Sequence, residues 1–237
     1  MEQPTTDGFA HEIEFWKGFV KSDRFLNNWV LPEQNPEIRA NHPDVAKCFD
    51  DFAAARNQEW DIIDVIDVGS GTLPWIKGIL PNMRLIACDP LADEYAKIFD
   101  YNKHGQDAPV KAFAESLPFD ENTFDIVHCS NALDHTQNPY KAILEMERVC
   151  RPGGMILIQG FENEAIHEDW KGLHQWNISI YPDPEKSSTP ALAIISKGGY
   201  VSAHRPKEAI YANTNLIQTG PHTERNWFVF AYKNQKQ

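Results

Sequence analysis

The chain has 237 residues, of which 42% are hydrophobic, and carries 22 Lys and Arg against 34 Asp and Glu for a formal net charge of -12. Such a chain can bury one sizeable core with additions, and an acidic balance with no basic cluster excludes phosphate-rich partners such as DNA. The four cysteines, Cys48, Cys88, Cys129 and Cys150, form no CxxC pair, and no uncharged apolar run is long enough to span a bilayer. A reduced, cytoplasmic protein without export signal or membrane anchor is expected.

In chain order, the first sixty residues read as helical in patches. Ile13, Trp16 and Phe19 or Val20 stand at helical spacing, then Val45, Phe49, Phe52 and Ala53, with the Pro-punctuated segment Leu31 to Pro43 between them. Residues 1–60 are expected to form an N-terminal helical cap on a main domain spanning 61–237. From Ile62 the texture changes to alternating strand and helix: Ile62 to Val68 a strand, Leu73 to Leu80 a helix, Arg84 to Cys88 a strand, Asp93 to Asn102 a helix. That alternation marks a buried parallel sheet.

Further strands are expected at Val110 to Ala112 and at Phe124 to Cys129. Asn138 and Pro139 then read as cap and first-turn residues of a helix with Tyr140, Ile143, Leu144 and Val149 on one face. It should stop at the turn Arg151-Pro152-Gly153-Gly154, which feeds a fifth strand, Met155 to Gln159. Residues 161–190 are polar, aromatic and Pro-bearing, the texture of an insertion over the strand ends. Ala191 to Ser196, Tyr200 to Ala203 and Trp227 to Tyr232 read as late strands.

The sharpest local signal is Val65-Ile66-Asp67-Val68-Gly69-Ser70-Gly71-Thr72, a strand entering a glycine-bearing turn. Glycines there let a ligand reach backbone amides that a Cβ would screen. Asp89, with Pro90 after it, ends the second strand, where a carboxylate can accept both ribose hydroxyls of an adenine nucleoside. The same pattern describes nicotinamide dinucleotide binding, but Pro74 disfavours the close helix packing of a pyrophosphate site. An adenosine ligand without phosphates is favoured.

With the blocks Ile66 to Gly71, Asp89, Ala114-Glu115-Ser116-Leu117-Pro118-Phe119, Phe124-Asp125-Ile126-Val127, Asn131-Ala132-Leu133-Asp134-His135 and Arg151-Pro152-Gly153-Gly154, the stretch from Ile62 to Ile158 resembles the class I S-adenosylmethionine-dependent methyltransferases. The resemblance implies an α/β, Rossmann-like seven-stranded sheet of order 3-2-1-4-5-7-6, its last strand antiparallel. It further implies that S-adenosylmethionine is held by Asp67, Gly69, Ser70 and Gly71 at the methionine end and by Asp89 and Pro90 at the ribose. Ala114 and Glu115 would meet the adenine edge, and Ser130 or Asn131 the floor below the sulfonium. Leu73 and Phe113 depart from the family pattern, where glycine and aspartate are common.

On the acceptor side, His135 lies just past the fourth strand and is the candidate base, with Asp134 to orient it. Its alternative is a histidine that only bonds backbone. In the insertion, His167, Trp170, His174 and Trp176, with Trp16 of the leader, combine flat apolar faces with polar groups that suit a sugar hydroxyl acceptor. Gly172-Leu173-His174-Gln175-Trp176-Asn177 also resembles methyltransferases of saccharide assembly, while Trp170 and Trp176 alternatively just anchor the insertion. His167, Asp169 and His174 have no familiar ligand spacing, so no metal is expected. Methyl transfer to a hydroxyl or amine of a small polar acceptor is the leading reading. A natural-product methyltransferase, a nicotinamide-dependent oxidoreductase and a non-catalytic cofactor-binding subunit are the alternatives.

Overall fold

The structure, a computed structural model, describes residues 6–30, 42–56, 62–181, 189–220 and 223–235. Most of the Pro-punctuated leader segment (31–41) and part of the insertion (182–188) lie outside the described residues. Helices α1 (Thr6–Phe19) and α2 (Pro43–Ala55) precede strand β1 (Ile63–Val68). All six residues of β1 are buried, because both faces of the central strand are covered. The chain continues through β2 (Met83–Asp89), α3 (Ala92–Tyr95), α4 (Tyr101–His104), β3 (Val110–Lys111), β4 (Phe124–Ser130), α5 (Pro139–Val149) and β5 (Cys150–Phe161). It ends with α6 (Glu164–His167), β6 (Trp176–Tyr181), β7 (Ala191–Ser196), β8 (Val201–His204), β9 (Ala209–Gly220) and β10 (Thr223–Lys233).

The main sheet runs β3-β2-β1-β4-β5-β10-β9. Strands β1 to β5 are parallel, and β10 is antiparallel to both neighbours. This is the Rossmann-like α/β class expected, with a difference in detail. Three strands lie in the chain between β5 and the last pair and build a separate antiparallel sheet, β6-β7-β8. Ala191 to Ser196 and the strand near Tyr200 therefore belong to that second sheet. The sixth strand of the main sheet is β9, whose mixed polar and exposed residues gave no strand signal.

Two apolar layers cover the main sheet. On one, Ile143, Met146 and Val149 of α5 meet Ile66, Val127 and Ile156, together with Ile178 and Leu192 of the second sheet. On the other, Val45 and Phe49 of α2 pack on Val65, Ile126 and Leu157. A third cluster joins Trp16 and Val20 of the leader to Leu73, Tyr95 and Phe99. The leader thus has two roles: α2 closes a face of the sheet, and α1 lies beside the turn after β1.

Several local expectations are corrected. Residues 71–80 form turns, not a helix. Pro74 offers no N–H and disfavours a helical Leu73, and the backbone there closes i to i+3 bonds, Lys77 to Pro74 and Ile79 to Ile76. The helix expected over Asp93 to Asn102 is split into α3 and α4, since Asp100 caps a new start by accepting from the Lys103 amide at 3.0 Å. Asn138 does cap α5, accepting from the Lys141 amide, but Tyr140 and Leu144 are exposed, and Ala142, Ile143, Met146 and Val149 make the buried face. The Arg151 to Gly154 turn is an excursion inside β5, where the register jumps from Phe124↔Cys150 to Ile126↔Met155.

Candidate active site

The carboxyl ends of β1, β2 and β4 open onto a cavity of about 990 Å³. Ligands of open α/β sheets bind in this kind of crevice beyond the carboxyl ends of the strands. Leaving β1, the backbone turns at Gly69 (φ 71°) and Gly71 (φ 64°). Both positions also lack room: a Cβ on Gly69 would lie 2.4 Å from Cβ of Ala132, and one on Gly71 would lie 2.1 Å from Cζ2 of Trp16. Glycine is therefore dictated by conformation and by close approach together.

Asp89 ends β2 and faces this turn. Its Oδ2 accepts from the Gly71 amide at 3.0 Å and its Oδ1 from the Leu91 amide at 2.9 Å. Burial pushes its carboxyl up to about 6, against the opposing pull of those two amides. A carboxylate has about four acceptor sites, so two backbone bonds leave capacity for ligand hydroxyls. Ser70 and Pro90 line the cavity as well. Asp67 does too, but its Oδ1 lies 2.6 Å from Nδ1 of His128.

His128 was not singled out by sequence reasoning. It is wholly buried, and Gln159 Nε2 donates to its Nε2 at 2.8 Å. That bond leaves the proton on Nδ1, aimed at Asp67. Gln159 Oε1 in turn accepts from Trp227 Nε1 at 3.2 Å, so a chain of side-chain bonds crosses the sheet from β10 to β1. The available signal was a polar residue centred in the apolar run of β4, in register with Asp67.

Ala114, Glu115, Ser130 and Asn131 also line the cavity. Glu115 Oε1 accepts from the amides of Gln137 and Asn138, and Asn131, in the left-handed region at φ 48°, accepts from the Phe161 amide at its Oδ1. Of the acceptor-side candidates, Trp16, His135 and His174 line the cavity, whereas His167, Trp170 and Trp176 do not. Trp176 Nε1 instead donates to the Thr136 carbonyl at 2.8 Å, which ties the insertion to the segment after β4. Trp16 Nε1 donates to Glu12 at 2.8 Å, and Glu12 joins Phe9, Trp75 and Glu168 among wall residues that sequence reasoning missed.

Asp134 and His135 sit in a 3-10 turn, Leu133–His135, just after β4. Asp134 does not orient His135 as expected: its Oδ2 lies 2.7 Å from Nδ1 of His174 and 3.6 Å from Nε2 of His135. Burial pushes the Asp134 carboxyl up, but His135 and the His174 N–H outweigh it and hold the group below the usual range. His174 moves the opposite way: burial lowers it, and the bond to Asp134 more than restores it. Among the described residues, Asp134, His135 and His174 are the group whose ligand atoms converge, within 4.8 Å of one another.

Residues 66–158 match the family model of the methyltransferase domain. That stretch is thus similar to methyltransferase domains, as the resemblance of its sequence blocks implied. The chain is 36% identical over 73 residues to the ubiquinone/menaquinone biosynthesis C-methyltransferase UbiE of Enterobacter sp. (strain 638), covering 31% of this chain and 29% of that one. The chain thus aligns with less than a third of the length of the curated relatives it matches. A S-adenosylmethionine-dependent methyltransferase from Aquifex aeolicus superposes with a TM-score of 0.46 at 14% identity, over 92% of this chain and 97% of that one. The Burkholderia thailandensis 1,6-didemethyltoxoflavin-N1-methyltransferase, solved with bound S-adenosylhomocysteine, gives 0.46 at 14% identity, over 100% and 94%. The matched stretch contributes the Gly69–Gly71 turn, Asp89, Glu115 and the Asn131 to His135 segment; Trp16 and His174 come from outside it.

Proposed function

We propose that this chain transfers the methyl group of S-adenosylmethionine to a hydroxyl or amine of a small polar acceptor held in the same cavity. The observation that carries the reading is Asp89, buried at a strand tip with its carboxylate turned to the glycine turn and to a cavity large enough for both ligands. Asp89 would hold the ribose hydroxyls, the amides around Gly69, Ser70 and Gly71 the methionine end, Ala114 and Glu115 the adenine edge, and Ser130 and Asn131 the floor below the sulfonium. Asp67, locked onto His128, would stiffen the turn.

Transfer from a sulfonium is an in-line displacement, so positioning supplies most of the catalysis. The acceptor lone pair forms the new bond as the carbon–sulfur bond breaks, leaving S-adenosylhomocysteine and the methylated product, and the acceptor sheds a proton. The Asp134, His135 and His174 cluster is the polar group that would meet that proton. Residues 1–60 would act as a cap, through Trp16, and 161–190 as an acceptor-side insertion, through His174. A sugar remains a fitting acceptor, with Trp16 as its flat partner in place of Trp170 and Trp176. Four free, buried cysteines suit a reducing cytoplasm, and no helix among the described residues is long and apolar enough to cross a membrane.

Isothermal titration with S-adenosylhomocysteine tests the reading. One site is expected, weakened about tenfold to a hundredfold by Asp89→Ala, the equivalent of one or two bonds to a charged group. Absence of binding to the wild-type chain would overturn it. Methyl uptake from labelled S-adenosylmethionine across sugars, amines and phenols then identifies the acceptor.

A further inference from the structure

At the acceptor end of the cavity the ligand atoms of three side chains converge. Nδ1 of His174 lies 2.7 Å from Oδ2 of Asp134 and 3.1 Å from Nε2 of His135, and the third edge, His135 to Asp134, is 3.6 Å. A ring nitrogen presents either one N–H or one lone pair in its plane. If Nδ1 of His174 gives a proton to Asp134, it has nothing with which to accept from His135. If it accepts from His135, its lone pair faces a carboxylate oxygen at hydrogen-bond distance. The cluster therefore has two forms: a His174 N–H shared between Asp134 and the lone pair of His135, or, with the His174 proton on Nε2, three lone pairs converging where a cation can sit.

The dimensions agree. Nitrogen and oxygen ligands bind a divalent transition ion at about 2.0–2.2 Å, which places them about 3.0–3.4 Å apart at octahedral or tetrahedral angles, and the three observed edges bracket that range. The backbone holds the ligands in place without the ion: the Gln175 amide donates to the Asp134 carbonyl at 3.2 Å, and Trp176 Nε1 to the Thr136 carbonyl at 2.8 Å. Those two bonds bring His174 back to the turn after β4 from 39 residues further along the chain. Asp134 is buried behind the histidines, which line the cavity, so positions left open would face the cavity.

We propose that Asp134, His135 and His174 ligate a divalent transition-metal ion, and that its open positions take oxygen donors of the acceptor. Two imidazoles and a carboxylate on one side of an ion leave neighbouring sites free, so the acceptor class is one with adjacent oxygens, such as a vicinal diol or a hydroxy-carbonyl compound. An ion-bound hydroxyl releases its proton to solvent more readily. Its oxygen then bonds to the methyl carbon as the electron pair of the carbon–sulfur bond leaves with sulfur. The assignment of the acceptor rests on the methyl-transfer reading; the ion itself does not.

Cobalt(II), added to the chelator-treated full chain, is the probe. One equivalent is expected to bind with visible absorption, to be displaced by zinc, and to bind at least tenfold more weakly to His135→Ala and to His174→Ala. Both half-buried histidines are substituted because a change at the buried Asp134 endangers the fold, and melting curves within a few degrees of wild type certify each variant. If only one variant folds, its cobalt titration decides alone. Wild-type protein that binds S-adenosylhomocysteine but not cobalt overturns the ion and spares the methyl-transfer reading; cobalt without S-adenosylhomocysteine does the reverse. Cobalt affinity unchanged in the folded variants overturns the ligand assignment.

Discussion

Replacing Gly71 by alanine probes how α1 sits on the glycine turn. The new Cβ would lie 2.1 Å from Cζ2 and 2.6 Å from Cη2 of Trp16, well inside any carbon contact, on a backbone at φ 64°. A left-handed alanine costs about 1–2 kcal/mol, and overpacking of this kind adds about 1–3 kcal/mol. Gly71→Ala should therefore destabilise by about 2–5 kcal/mol. Trp16→Ala removes an indole that is 6% exposed and should cost about 3–5 kcal/mol by itself. With the indole gone, Gly71→Ala pays only the backbone strain, so the double variant should be more stable than the sum of the singles by about 1–3 kcal/mol. Urea unfolding of all four proteins, followed by far-ultraviolet circular dichroism, measures the cycle. Additivity within about 0.5 kcal/mol would refute the claim that the indole occupies the space beside Gly71.

Binding of S-adenosylhomocysteine should weaken about tenfold per pH unit once the pH falls below about 6, because burial raises the Asp89 carboxyl to about 6 and ribose hydroxyls bind its ionised form; titrations between pH 5 and 8 check this, and Asp89→Asn should flatten the profile. The stability share of the same group runs oppositely: its folded value is raised above 3.8, so the share is full below 3.8 and is lost as pH rises through about 6. His128→Ala should destabilise by about 3–5 kcal/mol, since it strips the Asp67 carboxylate of its buried imidazole; a loss under about 1 kcal/mol in urea would show the pair to be unimportant. Burial pushes the Asp125 carboxyl up, yet the Asp64 amide, Arg151 and Arg56 hold it below 3.8. Its stabilisation is complete above 3.8 and disappears as pH falls through the depressed value, so Arg151→Ala should move the acid-unfolding midpoint, followed by circular dichroism, to higher pH.

The parts of the molecule legible in the chain were those set by local rules. The near-continuous apolar run of β1, broken only by Asp64 and Asp67, announced a strand covered on both faces, and the Asn138-Pro139 pair announced the start of α5. The glycine turn and Asp89 announced a ligand crevice because neither a Cβ at Gly71 nor an apolar residue at Asp89 would suit that place. What stayed hidden depended on long-range pairing. Strand β9 alternates polar and apolar residues weakly, since it lies at the sheet edge with β10 on one side. His174 stood among the acceptor-side candidates, but its partner did not show until the backbone bond from Gln175 set it against Asp134, 40 residues earlier. Trp176 had two readings, ligand platform or anchor of the insertion, because nothing local reveals that its indole N–H is spent on the Thr136 carbonyl.

The place of β10 between β5 and β9 constrains how the protein is made. Trp227 and Gln159, bonded across adjacent strands, are 68 residues apart in the chain. On the ribosome, β5 emerges long before the neighbour that covers its open edge, while the small sheet β6-β7-β8 can zip up from sequential hairpins in the meantime. A nascent chain paused in that interval would display the unpaired β5 edge beside Met155 and Leu157, the sort of surface on which holdase chaperones act.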